Sequence, residues 1–238
     1  MRYGVVGNGR ALAVVMPDLE VAYLAAIDPS GMRVFDRAQH PEGACLRLVA
    51  GGRVPEPVAQ AYVGQSGVLR TVACIGEVEI DATDYLPFAR PLFLRDMTIV
   101  NRSEAEVPFV LTAEAVSVPP NVSVTRDGDL TVLEGRFGVA AFRLEGVVGL
   151  LEPQEEALVR LALAWGPNRD AVREELDAVE SLSPQEVLWE WEQRMEQQAG
   201  PAVPERDRVL RIATGCAAFR ADWLNEPPAS WLDKLRKG

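Results

Sequence analysis

From Tyr3 to about Trp165 the hydrophobic positions fall in short runs separated by turn-forming residues. Tyr3-Val6, Leu12-Val15, Cys45-Val49, Val68-Cys74, Glu77-Thr83, Leu92-Asn101, Val107-Ala115, Leu130-Leu133, Val139-Leu144 and Ala157-Ala164 are rich in β-branched and apolar residues. They are bounded by Gly7-Asn8-Gly9, Gly51-Gly52, Pro119-Pro120 and Asp127-Gly128, the punctuation of strands and hairpins. In Glu77-Val78-Glu79-Ile80-Asp81 the apolar residues alternate with acids, which predicts a strand with one wet face. Arg126-Asp127-Gly128-Asp129 between Val124 and Leu130 predicts a two-residue hairpin turn, because Gly128 can take positive φ without strain. No long helical period interrupts these runs, so a parallel sheet with crossover helices is disfavoured. The pattern predicts a mainly β chain: a large antiparallel β-sandwich, supersandwich-like, over residues 1–166.

After Trp165 the period lengthens, and residues 167–238 read as a helical linker and tail. Asn168 is placed to cap a helix running to about Glu180, and Ser183-Pro184-Gln185-Glu186 is a capping box with proline at the first helical position. Val187, Leu188, Trp191 and Met195 share one side of the helix that follows. Beyond Gly200-Pro201, the spacing of Val209, Ile212, Ala213, Cys216 and Ala217 predicts a third helix towards Trp223. A last short turn is expected around Trp231, Leu232 and Leu235.

Charge then narrows the partners. The 238 residues carry 35 acids against 24 bases, a net charge of -11, which opposes attraction to phosphate backbones and anionic lipid. Neither nucleic acid nor a membrane surface is an expected partner. Lysine occurs only at 234 and 237 and the arginines are scattered, so no basic binding patch is expected. One histidine, His40, and three widely spaced cysteines, Cys45, Cys74 and Cys216, supply no C-x-x-C or H-E-x-x-H motif. No metal, cofactor or disulfide framework is expected, and each cysteine reads as a small apolar residue. With no charged leader and no apolar run near the roughly 18 residues of a span, the expected location is the cytoplasm.

Candidate chemistry is sparse. Gly7-Asn8-Gly9 lacks the third glycine of a dinucleotide fingerprint and leads into a strand, so it reads as a hairpin turn. Asp28, Asp36, Asp81, Asp84 and Asp96 could in principle offer the two acids of glycoside hydrolysis, although exposed strand faces and turns account for each of them. His40 beside Pro41 reads as a surface residue, and Ser66 lacks a nucleophile elbow. The tryptophans Trp165, Trp189, Trp191, Trp223 and Trp231 gather in the last third, where helix packing or a protein interface explains them better than a sugar platform.

The order of these features resembles the N-terminal part of glycoside hydrolase family 15, the glucoamylase, glucodextranase and trehalase group. The resemblance rests on Tyr3-Gly4-Val5-Val6-Gly7-Asn8-Gly9-Arg10 and the strand after it. It continues through Pro17-Asp18, Tyr23-Leu24, Val34-Phe35, Asp84-Tyr85-Leu86-Pro87, Leu94-Arg95 and Gly138-Val139-Ala140-Ala141-Phe142. It implies a β-sandwich and linker preceding an (α/α)6 barrel that carries the catalytic glutamates. No position here matches those glutamate motifs, and Tyr23-Leu24-Ala25-Ala26-Ile27-Asp28 is shorter and blander than the family's aromatic segment. The implied role is a non-catalytic module or subunit that associates with a separate barrel hydrolase or with another copy of itself. An α-glucan or oligosaccharide is a possible ligand, and Asn8, Arg10, Tyr23, Asp28, Trp191 and Trp223 are the candidate ligand or partner contacts. The alternatives are an α-glucoside hydrolase in its own right and a freestanding carbohydrate-binding module using Tyr62, Tyr85, Phe88 and Phe93.

Overall fold

The computed structural model describes residues 3–8, 11–26, 32–64, 66–88, 90–136, 138–146 and 149–197. Its strands are β1 (Gly4–Gly7), β2 (Ala11–Val15), β3 (Val21–Ala26), β4 (Arg33–Phe35), β5 (Cys45–Ala50), β6 (Glu56–Tyr62), β7 (Leu69–Ile75) and β8 (Val78–Tyr85). They continue with β9 (Leu92–Asn101), β10 (Val107–Pro108), β11 (Leu111–Val116), β12 (Ser123–Asp127), β13 (Leu130–Gly135), β14 (Gly138–Glu145), β15 (Leu150–Leu151) and β16 (Glu156–Gly166). Eight strands form one antiparallel sheet in the order β12-β13-β14-β16-β9-β8-β7-β6. Six form a second in the order β1-β2-β3-β5-β11, with β4 also on β3, while β10 and β15 make a short ribbon. The predicted sandwich is therefore present.

Alternation along the large sheet explains its two cores. Ile80, Ala82, Phe93, Met97, Ile99, Leu161, Leu163 and Trp165 point inwards and pack with Ala13, Val15, Leu24, Leu46 and Leu48 of the smaller sheet. Tyr85, Leu92, Leu94, Ala141, Ala162 and Ala164 point outwards and pack with Val172, Leu176, Val179 and Val187. The C-terminal part of β16 is buried on both faces, which is why Leu161-Ala162-Leu163-Ala164-Trp165 lacks polar alternation. Each leucine so buried contributes about 1.5–3 kcal/mol relative to exposure.

The covering helices start where their caps dictate. Asn168 accepts a hydrogen bond from the Ala171 amide at 2.9 Å and opens α1 (Arg169–Asp177). This helix ends before the expected Glu180. The Ala178 amide is shared between the Glu174 and Leu176 carbonyls, and the chain tightens into a 3-10 turn, Ala178–Ser181. The Ser183 hydroxyl accepts from the Glu186 amide at 3.3 Å while the Glu186 carboxylate accepts from the Ser183 amide at 3.1 Å. This is the predicted capping box, and it opens α2 (Pro184–Gln197). The helix expected towards Trp223 and the turn after it lie outside the described residues.

Two strand expectations need correction. Val107-Ala115 reads as one strand, but Pro108 supplies no amide hydrogen, and the run divides into β10, paired with β15, and β11, paired with β5. The stretches that form β3, β4 and β6 carry no marked strand pattern: β3 is buried throughout and rich in alanine, and β6 contains Pro57 beside a register shift. The hairpin at Gly128 forms, with Gly128 at φ 65°, but Asp127 pairs with Leu130 and the two-residue loop is Gly128-Asp129, one position later than expected.

One charged pair sits inside the sandwich. Asp84 and Arg95 are direct cross-strand partners, and both are fully buried on inward-facing positions of β8 and β9. Arg95 donates from Nε to Asp84 Oδ1 at 2.6 Å, from Nη2 to Oδ2 at 3.2 Å, and from Nη1 to the Leu19 carbonyl at 2.6 Å. Leu19, in the β2–β3 connection, is held at φ 66°, a left-handed conformation costing a leucine roughly 1–2 kcal/mol. Loss of hydration pushes the Asp84 carboxyl up, and the guanidinium beside it opposes that. Removing either partner strands a buried charge, so Arg95→Met or Asp84→Asn is expected to lower unfolding free energy by about 3–5 kcal/mol. Urea denaturation checks this, and the Asp84→Leu/Arg95→Met double variant should lose clearly less than the sum of the single losses.

Candidate functional site

Beyond the helices the outer face of the large sheet turns polar in a single register row. Arg70 of β7 lies opposite Thr83 of β8, Thr83 opposite Asp96 of β9, Asp96 opposite Arg160 of β16, and Arg160 opposite Glu145 of β14. The next row outward places Asp81, Thr98 and Leu158 side by side. Together with Pro184 and Gln185 at the start of α2, these rows line an open trough of about 580 Å³.

Ion pairs hold the trough in shape. Asp96 accepts from Arg160 Nε at Oδ1, from Arg160 Nη2 at Oδ2 (3.1 Å), and from the Tyr85 hydroxyl at Oδ2 (2.8 Å). Arg160 also donates to the Val179 carbonyl at 3.3 Å. Arg70 grips Asp81 with two bonds, one of 2.8 Å from Nε. Arg143 Nε lies 2.6 Å from Glu145 Oε1, and its Nη2 donates to the Leu176 carbonyl at 2.8 Å. Burial, with Asp96 alongside, pushes the Tyr85 phenol well up, so it stays a donor; the hydrogen bond to Asp96 raises the Arg160 guanidinium further.

This arrangement is a set of fixed hydrogen bonds and ion pairs. Both oxygens of Asp96 and of Asp81 are taken by donors, Asp84 has no solvent contact, and Asp36 accepts from the Ala44 amide at 2.9 Å. Among the described residues no cluster of His, Cys, Asp and Glu could hold a metal ion.

The candidate contacts named from sequence do not assemble here. Asn8 is buried at the β1–β2 turn, donating to the Pro87 and Arg90 carbonyls at 2.7 and 3.0 Å and accepting from the Ala11 amide. It ties that turn to the β8–β9 connection. Tyr23 is fully buried in β3 opposite Val14, so it presents no surface to a ligand. Arg10, Asp28 and Trp223 lie outside the described residues, as does the side chain of Trp191 on α2. In the sugar-stacking set Tyr85 and Phe93 are fully buried and the Tyr62 hydroxyl is engaged by the Val5 backbone, while Phe88 is half-buried. Trp165 is a core residue, whereas Trp189 is 62% exposed. His40 is exposed. Ser66 is buried and hydrogen-bonded to Val63. Arg70, Thr83, Thr98, Glu145 and Arg160 carry no linear signal. They meet only through strand pairing, and the wet alternation around Asp81 was the one available hint.

The fold defines the class: it is a large antiparallel β-sandwich with helices packed on one outer face. The chain is similar in structure to a bacterial glucoamylase solved with acarbose, at 7% identity and a TM-score of 0.50, over 90% of this chain and 40% of that one. It is also similar to a putative aldose 1-epimerase from Escherichia coli K12, at 7% identity and a TM-score of 0.46, over 69% of this chain and 99% of that one. A third similarity is to a family 36 α-galactosidase from Geobacillus stearothermophilus, at 9% identity and a TM-score of 0.39. This chain spans about two fifths of the glucoamylase's length. No family model and no curated protein matches it. Among the described residues no helix is long and apolar enough to cross a membrane.

The thiols yield a pH prediction. Burial, with Glu20 nearby, pushes the Cys45 thiol up from 9.0 to about 11 despite its contact with Arg37. The native state therefore holds that proton longer than the unfolded chain does, so the contribution is fully present below pH 9.0 and is lost as pH rises towards about 11. Urea midpoints at pH 8 and pH 10.5 should show Cys45→Ala losing less stability over that window than the parent chain.

Proposed function

We propose that this chain is a non-catalytic β-sandwich of the glycoside hydrolase family 15 kind, acting with an (α/α)6 barrel hydrolase in carbohydrate metabolism. The observation that carries the reading is the fate of the acids. Every described aspartate that could have formed a sandwich-face acid pair is committed to an arginine, a phenol or a backbone amide. Glycoside hydrolysis needs one carboxyl to give up a proton and a second with a free oxygen to activate water or attack carbon, and the bonds to both oxygens of Asp81, Asp84 and Asp96 oppose either role. The shared sandwich fold and the overlap with 90% of this chain in the glucoamylase support placing the module beside a barrel. The helical layer, with Trp189 exposed on α2, is the surface assigned to that association.

Co-purification from the native source, or mixing with a purified family 15 barrel, should give one complex on gel filtration. Trp189→Ala should weaken that complex about tenfold or more, in the range of buried aromatic anchors. The chain alone should leave maltose, trehalose, dextran and starch fragments intact. A persistent monomer in both settings, or hydrolysis that survives repurification and disappears in Asp96→Asn, would overturn the proposal.

A further inference from the structure

We infer that the trough on the outer face of the large sheet is a binding site for a neutral, polyhydroxylated ligand of oligosaccharide size. The inference deepens the carbohydrate reading above and rests on it for the choice of ligand class, while its geometry stands separately.

Charge selects the ligand first. The three carboxylates at the trough are each matched by an arginine: Asp81 by Arg70, Asp96 by Arg160, and Glu145 by Arg143. Arg143 also lies 3.6 Å from Asp177 Oδ1, so every arginine around the trough is already paired with a carboxylate and an anion finds no unpaired counter-charge. An uncharged ligand with many hydroxyls, each both donor and acceptor, fits such a surface because it can insert between paired groups without breaking them.

Unused hydrogen-bonding capacity points the same way. Thr83 and Thr98 stand side by side with the ion pairs, and among the described residues their hydroxyls make no hydrogen bond to protein. Arg70 spends only Nε and one Nη2 bond on Asp81 and has a side chain 59% exposed, which leaves guanidinium N–H groups directed to solvent. Apolar contact is provided at the same place: Leu158 is 77% exposed although it projects from the middle of the sheet between these polar groups. A pyranose ring has a face of C–H groups bordered by hydroxyls and would lay that face on Leu158 while its rim meets Thr83, Thr98 and Arg70. The volume, about 580 Å³, is within the range of small-molecule sites.

Rigidity makes the surface a site rather than a wet patch. Asp96 is fixed by three donors, and Arg160 and Arg143 are anchored to the Val179 and Leu176 carbonyls of the helical layer. The ligand-facing groups project from five adjacent strands, so little ordering remains to be done on binding.

Calorimetric titration of the full chain with maltotetraose, isomaltotriose and trehalose tests this, with gluconate and glucosamine as charged controls. At least one neutral sugar should give a saturable isotherm, and the charged controls should not bind more tightly. Thr83→Val and Arg70→Gln should each weaken that binding about tenfold, while Arg126→Gln, on the exposed β12 edge, should leave it unchanged. Thermal melts matching the parent chain establish that the variants fold. Absence of saturable binding by all three sugars, tighter binding of a charged control, or unchanged affinity in both trough variants would overturn the inference. Sugar binding without a barrel complex would sink only the module proposal, and a barrel complex without sugar binding would sink only the trough.

Discussion

An arginine without any solvent contact can persist inside a β-sandwich only if its charge and its donors are matched there, because the cost of desolvating an ion amounts to several kcal/mol. Arg95 meets that condition through Asp84 on the neighbouring strand and through the Leu19 carbonyl from the β2–β3 connection. The pairing has consequences beyond its own energy. It fastens the large sheet to the smaller one, and it accounts for a leucine held in the left-handed region so that its carbonyl reaches the guanidinium. It also fixes the phase of β8 against β9. A slip of one residue would send one of the two charged side chains to the opposite face from its partner and would leave Thr83 no longer facing Asp96. The inner ion pair thus decides which residues line up outside.

The outer face then divides by the reach of the helices. Under α1, the 3-10 turn and α2 the rows are apolar, as with Tyr85, Leu94 and Ala162. One row further on they are charged, and the boundary is bridged by polar links between the layers. The Tyr85 hydroxyl reaches out to Asp96, while Arg160 and Arg143 reach back to helix-layer carbonyls. The helical layer therefore does two jobs: it buries the apolar rows and it holds the first charged row in place. The same links engage both carboxylate oxygens of Asp96 and hold it in place.

Much of this architecture is legible in linear order because it rests on local rules. Strand alternation at Val78 and Ile80, the Gly128 hairpin, the Asn168 cap and the Ser183–Glu186 capping box each depend on residues a few positions apart. Where local rules conflict with burial, the reading weakens. The alanine-rich β3 is buried at every position and has no period to detect, and Pro108 divides a run whose composition is continuous. The site was less legible than the fold. Asn8 stood out by its flanking glycines and proves to be a tie between connections, and Tyr23 stood out by its place in a family-like segment and is fully buried.

By itself, the sequence determined the class of architecture, the positions of turns and caps, and a charge balance that disfavours polyanionic partners, since these follow from composition and from neighbours along the chain. Tertiary structure alone decided which acids meet which arginines. Asp84 and Asp81 are three positions apart on one strand, yet the first is sealed in the core with Arg95 and the second is half-buried on the outer face with Arg70. Similarly, Arg70, Thr83, Asp96, Arg160 and Glu145 span 91 positions of chain and become neighbours only through register. The physical reason is that alternation assigns a side chain to a face, whereas pairing across strands assigns its partners. Only the folded sheet, phased by a buried ion pair, specifies the latter.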